Sequence, residues 1–316
     1  MSKIRQLGRT TFSVLPKLGL MPRPVAFRPS GVSMMMPVKD EEDWVEKAIL
    51  SVLPFVEEIV VVDNGSDDRT PEVVGRITER YPGRVRFYHF AEEDFCGAVN
   101  LCLRLTKFST VFRWNGDFVG RTSGPCSMRN LLSRIRSLDR NRYYAIWLGG
   151  VGLDGDLRHQ LPVPGEVERE PHVFTHHPRL HYRQSGRFEE PVVPYFYKRL
   201  EWKEQYFFHL RSVKPARRLL YRYFWTRWMS LPEKSQFPTL DSFVRHSIRE
   251  RYGTSDINVA MKYRVRDLCR DVVPYDRERF GDYPEILDPD LLNPKYQLIY
   301  KDGLAVSRND VELITD

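Results

Sequence analysis

At 316 residues, with 41% of them apolar and 13% aromatic, the chain has enough core-forming side chains to exclude wholesale disorder; it fills one large domain, or one domain with an appended subdomain. Its 49 basic residues against 42 acidic ones leave a formal net charge of +7, which excludes a histone-like polycation. That mild excess suits a phosphate-bearing ligand, an anionic membrane surface or nucleic acid alike. Cys96, Cys102, Cys126 and Cys269 form no CxxC pair and no dense framework, which points to a reduced, cytosolic compartment and away from structural zinc. No stretch approaches 18 consecutive apolar residues, so no transmembrane helix is expected. The basic N-terminus is interrupted by Pro16, Lys17, Pro22 and Pro24 and is followed by no small-residue cleavage site, so a signal peptide is not expected either.

In chain order, residues 1–30 read as an irregular leader ending in a Pro-rich stretch. Val32–Val38 is a short apolar run that suits a buried strand. Glu41 to Leu53 spaces Trp44, Val45, Ala48, Ile49 and Val52 as a helix does, with Asp40 as its N-cap. Glu58–Asp63 is a second, β-branched strand ending in the turn Asn64-Gly65-Ser66, and Thr70–Tyr81 is a helix with Pro71 in its first turn. A strand over 85–90, a helix over 97–106 and a strand over 110–114 follow. Strands and helices alternating at this spacing predict βαβ units and a mainly parallel sheet, with the ligand beyond the C-terminal ends of the strands. After about residue 138 the pattern loosens. Tyr143–Gly149 reads as another strand, 162–194 as a His-, Pro- and Arg-rich surface stretch, and Leu240–Tyr252 as a helix.

The polar groups ending the strands carry the candidate chemistry: Lys39 and Asp40, Asp63 and Asn64, and Asn115 to Asp117. A carboxylate such as Asp63 accepts hydrogen bonds from a uracil or guanine edge or from ribose hydroxyls, although Asp, Asn, Gly and Ser are equally the residues of a plain helix-capping turn. Asp67 and Asp68 suit solvent-facing caps. Asn115-Gly116 is by itself an ordinary turn. The histidines His172, His176, His177 and His181 match no usual zinc spacing and suit acceptor contact or plain surface. The basic, aromatic segment 214–228 suits three settings: an interfacial helix at an anionic membrane, base stacking beside phosphate contacts, or an amphipathic helix packed on the core with its arginines outward.

The run from Val32 through Asp63-Asn64-Gly65-Ser66-Asp67-Asp68-Arg69-Thr70 resembles the opening of family 2 glycosyltransferases. Cys96-Gly97-Ala98-Val99-Asn100 and Asn115-Gly116-Asp117 follow in the family's order, the latter where the family has a metal-binding Asp-x-Asp. The resemblance covers roughly residues 31–212 and implies an α/β, GT-A Rossmann-like, mainly parallel sheet flanked by helices. The leader 1–30 and a mostly helical or irregular C-terminal extension, 213–316, lie outside it. Within 31–212 it implies a nucleotide-sugar half, 31–138, and an acceptor half, 139–212.

The implied activity is transfer of a sugar, with inversion, from a nucleoside diphosphate sugar, UDP- or GDP-linked, to a hydroxyl of a glycan or lipid-linked acceptor. The nucleotide-binding set is then Pro37, Lys39, Asp63, Asn64, Gly97, Asn100 and Asn115. Asp117, joined by His209, is expected to hold Mn²⁺ or Mg²⁺, a Lewis acid for the departing diphosphate. Asn115 departs from the family's first Asp, and an amide oxygen coordinates more weakly. Glu190, or its neighbour Glu189, is the expected base for the acceptor hydroxyl, in a run similar to the family's Gly-x-x-His-Glu. The expected location is cytoplasmic, with peripheral contact at the inner membrane face through 214–228. The alternatives are a transferase acting on a modified nucleic-acid base and a non-catalytic binding protein of the same fold.

Overall fold

The computed structural model describes residues 12–162, 168–186, 188–231, 233, 235–301 and 304–312. The first eleven residues of the expected leader, and Arg187 in the Gly-x-x-His-Glu-like run, lie outside the described residues.

The N-terminal half alternates as the hydrophobic pattern predicts: β1 (Val32–Val38), α1 (Val45–Leu50), β2 (Glu58–Asp63), α2 (Thr70–Arg80), β3 (Val85–His89), α3 (Phe95–Leu105) and β4 (Thr110–Arg113). Every residue of β1 and β2 is buried, as expected for strands covered on both faces. Then come β5 (Phe118–Gly120), α4 (Met128–Arg136), β6 (Tyr144–Gly152), β7 (His159–Gln160), β8 (Glu168–Thr175), β9 (His181–Ser185), β10 (Phe188–Val192) and β11 (Lys198–His209). Eight strands form one sheet in the order β3-β2-β1-β4-β8-β6-β11-β5. Pairing is parallel from β3 through β4 and again between β6 and β11, and antiparallel on both sides of β8 and at β5. This is the α/β, mainly parallel sheet flanked by helices that the sequence predicts.

Alternate side chains of β1 and β2 serve two cores. Met34, Met36, Ile59 and Val61 join Val45, Ile49, Val74 and Leu131 on one face. Met35, Val60 and Val62 join Val99 and Cys102 of α3, with Tyr182 of β9, on the other. The 162–194 stretch keeps exposed residues such as Arg179, His181, Arg183 and Gln184 but departs from its surface reading at one strand. That strand is β8, between β4 and β6, in which His172, Val173 and Phe174 are buried. The helix expected from Glu41 begins only at Val45 and is not capped by Asp40. Asp40 sits at φ 51° and commits its side chain elsewhere. Its Oδ1 accepts from the N–H of Asp67 at 2.8 Å, and its Oδ2 pairs with Arg218 at 3.1 Å.

Beyond the sheet, α5 (Ala216–Met229), α6 (Leu240–Tyr252) and α7 (Ile257–Cys269) pack together through Leu220, Phe224, Val244, Ile248 and Ala260. A short strand β12 (Val273–Pro274) pairs with β7, and β13 (Leu298–Lys301), β14 (Leu304–Arg308) and β15 (Val311–Glu312) form a small antiparallel sheet. Arg308, 1% exposed, donates to the carbonyls of Lys214 at 2.9 Å and Gly155 at 3.3 Å. The C-terminal extension thereby buttresses the chain just before α5.

Candidate active site at the C-terminal edge of the sheet

Parallel register places the ends of β1 and β2 side by side, Val38 opposite Asp63. The loops that follow are laced together. The amides of Asp40, Glu41 and Glu42 donate to Ser66 Oγ, Thr70 Oγ1 and Asp68 Oδ2 at 2.7, 2.6 and 3.1 Å. Lys39 Nζ donates to the carbonyls of Asn64 (3.0 Å) and Gly65 (2.7 Å). Asp63 is buried; its carboxylate accepts from the hydroxyl of Ser66 and, at 3.2 Å, from the Ser66 amide. Asn64 donates to the carbonyls of Phe90 and Glu92, fastening the loop after β3. Asp67 is exposed, whereas Asp68, half-buried, ties the two loops together and also accepts from the Thr70 amide.

Pro37 is part of buried β1. Gly97 lies in the first turn of α3, where a Cβ would meet the carboxylate of Asp94 at 2.5 Å and the ring of Phe90 at 2.9 Å. Asn100 spends both ends of its amide on the backbone of Tyr182, at 2.9 and 2.8 Å, and so clamps α3 to β9. Asn115 is half-buried and its carbonyl closes a turn with the Phe118 amide.

Asp117 and His209 meet because β11 pairs antiparallel with β5, His209 opposite Phe118, while the Leu210 amide donates to the Asp117 carbonyl at 2.9 Å. His209 Nε2 is 3.4 Å from Asp117 Oδ2. The carboxylate has further company. Lys214 Nζ lies 2.8 Å and Arg222 3.3 Å from the same oxygen, and Lys214 also holds Glu41 Oε1 and Oε2 at 2.5 and 2.6 Å. Asp117 and Lys214 are each 1% exposed. Burial opposes ionisation of Asp117, yet Lys214, His209 and Arg222 hold its carboxyl well below the usual carboxylate range. Burial pushes the Glu41 carboxyl up in spite of Lys214, and lowers the Lys214 ammonium in spite of its two carboxylates. Gly116 packs against this group: a Cβ there would lie 2.9 Å from Glu41 Cγ and 3.0 Å from Val38 Cγ1.

As a cation site the arrangement fits poorly. Asp117 offers its Oδ2 to an ammonium, position 115 supplies an amide where a second carboxylate would help, and no group of three ligating side chains occurs among the described residues. The four histidines form no such group either. His172 and His177 are buried, and burial, followed by the Arg28 charge, pushes His176 down to about 3.

Glu189 and Glu190 stand on β10, paired with β9, and no hydrogen bond or ion pair joins them to Asp117 or His209 among the described residues. Glu189 is engaged by Arg113 at the end of β4, whose guanidinium lies over the Tyr182 ring. Glu190, pointing to the opposite face as successive strand residues do, is exposed and makes no side-chain bond among the described residues.

The sequence reading missed Glu41, Lys214, Arg218 and Arg222. In α5, Leu219, Leu220, Phe224 and Trp228 are buried, but Arg218 and Arg222 turn towards Asp40, Glu41 and Asp117 instead of outward. The available signal was the repeat Lys214, Arg218, Arg222 at helical spacing. Between α5 and the two laced loops lies a cavity of about 430 Å³, lined among others by Lys39, Asp40, Asn64, Lys214, Arg218 and Tyr221. No helix among the described residues is long and apolar enough to cross a membrane.

No curated protein matches the sequence. Among solved structures, S. aureus TarS 1-349 is similar at 12% identity over 88% of this chain and 95% of that one, with a TM-score of 0.40. Its complex with UDP-GlcNAc gives 11% identity over the same shares and 0.39. Glucosyl-3-phosphoglycerate synthase from Mycobacterium tuberculosis, in complex with phosphoglyceric acid, gives 22% identity over 30% of this chain and 36% of that one, with a TM-score of 0.25. Residues 33–119, from the first strand through the Asp63 turn to the loop of Asp117, match the family described as glycosyl transferase family 2. Over residues 33–119, therefore, the chain is similar to glycosyl transferase family 2.

Proposed function

We propose that the chain transfers a sugar from a nucleoside diphosphate sugar, UDP- or GDP-linked, to a hydroxyl of a glycan or lipid-linked acceptor, with inversion at the anomeric carbon. The observation that carries this reading is the cavity of about 430 Å³ at the C-terminal ends of β1 and β2. It is bordered by the turn that follows Asp63, within the segment matching the family, and by Lys39, Lys214, Arg217 and Arg218, cations suited to a diphosphate, which stand among acidic side chains such as Asp40, Glu41 and Glu93. Asn64 and Lys39 shape its floor.

In the reaction the acceptor oxygen attacks the anomeric carbon from the face opposite the diphosphate. The carbon–oxygen bond to the β-phosphate breaks with its electron pair passing to the phosphate oxygen, and the hydroxyl proton passes to a base. Glu189 is committed to Arg113, so Glu190 is the carboxylate available for that proton, with Glu189 and Arg113 holding β10 in place. The four cysteines, all free, suit a reducing compartment such as the cytoplasm.

The test is release of nucleoside diphosphate from UDP- and GDP-sugars, with and without simple glycan acceptors, followed by NMR of the product's anomeric configuration. Turnover that vanishes in Asp63→Ala supports the reading. Retained configuration would remove inversion from it, and no turnover of any donor would favour a non-catalytic binding protein, for which Asn115 is the motive.

A further inference from the structure

Resting on the transferase reading above, the geometry points to a donor site that works without a divalent cation: Lys214 fills the cation's place at Asp117, and Arg222 meets the diphosphate. An ion bound to Asp117 would sit about 2.0–2.6 Å from its oxygen. At Oδ2 that space is taken by the Lys214 ammonium, 2.8 Å away, with Arg222 at 3.3 Å from the same oxygen.

Lys214 is not a side chain that swings aside. Its Nζ is bonded to both oxygens of Glu41, and the backbone on either side is pinned. Trp44 Nε1 donates to the Val213 carbonyl at 2.5 Å, Arg308 to the Lys214 carbonyl at 2.9 Å, and the Ala216 amide to Asp310 at 3.0 Å. Displacing it would break up a buried ion pair and leave Glu41 only the longer contact with Arg222, at 3.8 Å. At position 115 an amide stands where a second carboxylate would favour a metal.

The cations available to a diphosphate here are side chains. Lys214, Arg218 and Arg222 face Asp40, Glu41 and Asp117, three cations against three carboxylates, and the cavity wall adds Lys39 and Arg217 beside the carboxylates of Glu42, Asp67, Asp68 and Glu93. Lys214 and Arg218 line the cavity, and Arg222, the most exposed of the three with its side chain 35% exposed, stands beside Lys214 at Asp117 Oδ2. A guanidinium offers five N–H groups in a planar fork, a geometry that matches phosphate oxygens. As the anomeric bond breaks and its electron pair moves to the β-phosphate oxygen, fixed cations of this kind stabilise the developing charge as a bound metal does elsewhere.

The test is calorimetric titration of the full chain with UDP and GDP, and with UMP and GMP, in EDTA and then in Mn²⁺. The expected result is that one nucleoside diphosphate binds with an affinity that agrees within about twofold between the two conditions. Arg222→Gln then weakens the diphosphate at least about tenfold and barely moves the monophosphate, a selectivity that a merely structural role would not produce. Binding that requires Mn²⁺ overturns the inference and leaves the transferase reading standing. Equal losses for mono- and diphosphate remove Arg222 from the role, and no binding of either diphosphate in either condition overturns both readings.

Discussion

Gly116→Ala probes how tightly the loop of Asp117 is pressed against the first strand. The added Cβ would lie 2.9 Å from Glu41 Cγ, 3.0 Å from Glu41 Cβ and 3.0 Å from Val38 Cγ1. Neither neighbour can yield cheaply. Val38 is a strand residue 1% exposed, and Glu41 is fixed at both ends, its amide on Thr70 Oγ1 at 2.6 Å and its carboxylate on Lys214. Overpacking of this kind costs about 1–3 kcal/mol, and with both neighbours held we expect about 2 kcal/mol. The assay is urea unfolding, read as a lowered midpoint at unchanged slope, with a fall in melting temperature on the order of 4 °C. Gly75→Ala is the control. It lies in α2 with nothing within 4 Å of the added Cβ, and removing a helical glycine should stabilise by roughly 0.5–1 kcal/mol. If Gly116→Ala were as stable as the parent while Gly75→Ala behaved as expected, the close packing of Gly116 on Glu41 would be wrong, and with it the buried group built on Glu41, Lys214 and Asp117.

Arg308→Met removes the guanidinium that holds the Lys214 carbonyl; we expect a loss of about 3 kcal/mol, near the lower end for a broken buried pair because Asp310 keeps contact with water. Denaturant titration checks it, and a loss below about 1 kcal/mol would deny the C-terminal sheet its buttressing role. Glu190→Gln should lower kcat by at least about 10²-fold while nucleotide affinity survives; full activity in that variant would move the role to Glu189. His176 gives a pH signature. Its native value is pushed down to about 3 from 6.5, chiefly by burial, so below pH 6.5 the unfolded chain takes up a proton that the native state refuses. Stability therefore falls as pH drops from 6.5 towards 3, and His176→Phe should flatten that part of the profile; an unchanged slope in the variant would refute the assignment.

Much of the N-terminal half was legible because its signals are local. Val32–Val38 and Glu58–Asp63 are continuous apolar runs closed by turn residues, and both are strands with the same bounds. β8 was not legible, since Glu168, Arg169, Glu170 and His172 leave no apolar run longer than Val173-Phe174, and the strand is interior only because β4 and β6 flank it. The helix after β1 starts later than its apolar spacing predicts for a related reason. Asp40 has the chemistry of an N-cap, but its carboxylate is claimed by the Asp67 amide and Arg218, far along the chain.

At the site, Asp117 and His209 were paired from the family's order, and antiparallel pairing of β5 with β11 does bring them together. Lys214 and Arg222 were hidden by the usual rule that arginines on an aromatic helix face water. Here their partners are Glu41 and Asp117, about a hundred residues or more earlier, and a buried cation is accounted for only when its carboxylates are known. Asn100 illustrates the converse, for its place in the motif gave no hint that both ends of its amide are used to hold β9.

The central claim is that the cavity between the laced loops and α5 receives a nucleoside diphosphate. It is tested most directly by thermal unfolding of the full chain against UDP, GDP, CDP and dTDP, each in EDTA and in Mn²⁺. A ligand at 100 times its Kd adds about 2.7 kcal/mol to stability, which such a scan resolves. The account predicts that one of these nucleotides raises the melting temperature equally in both conditions and that Asp63→Ala abolishes the rise. No rise with any nucleotide in either condition would contradict it.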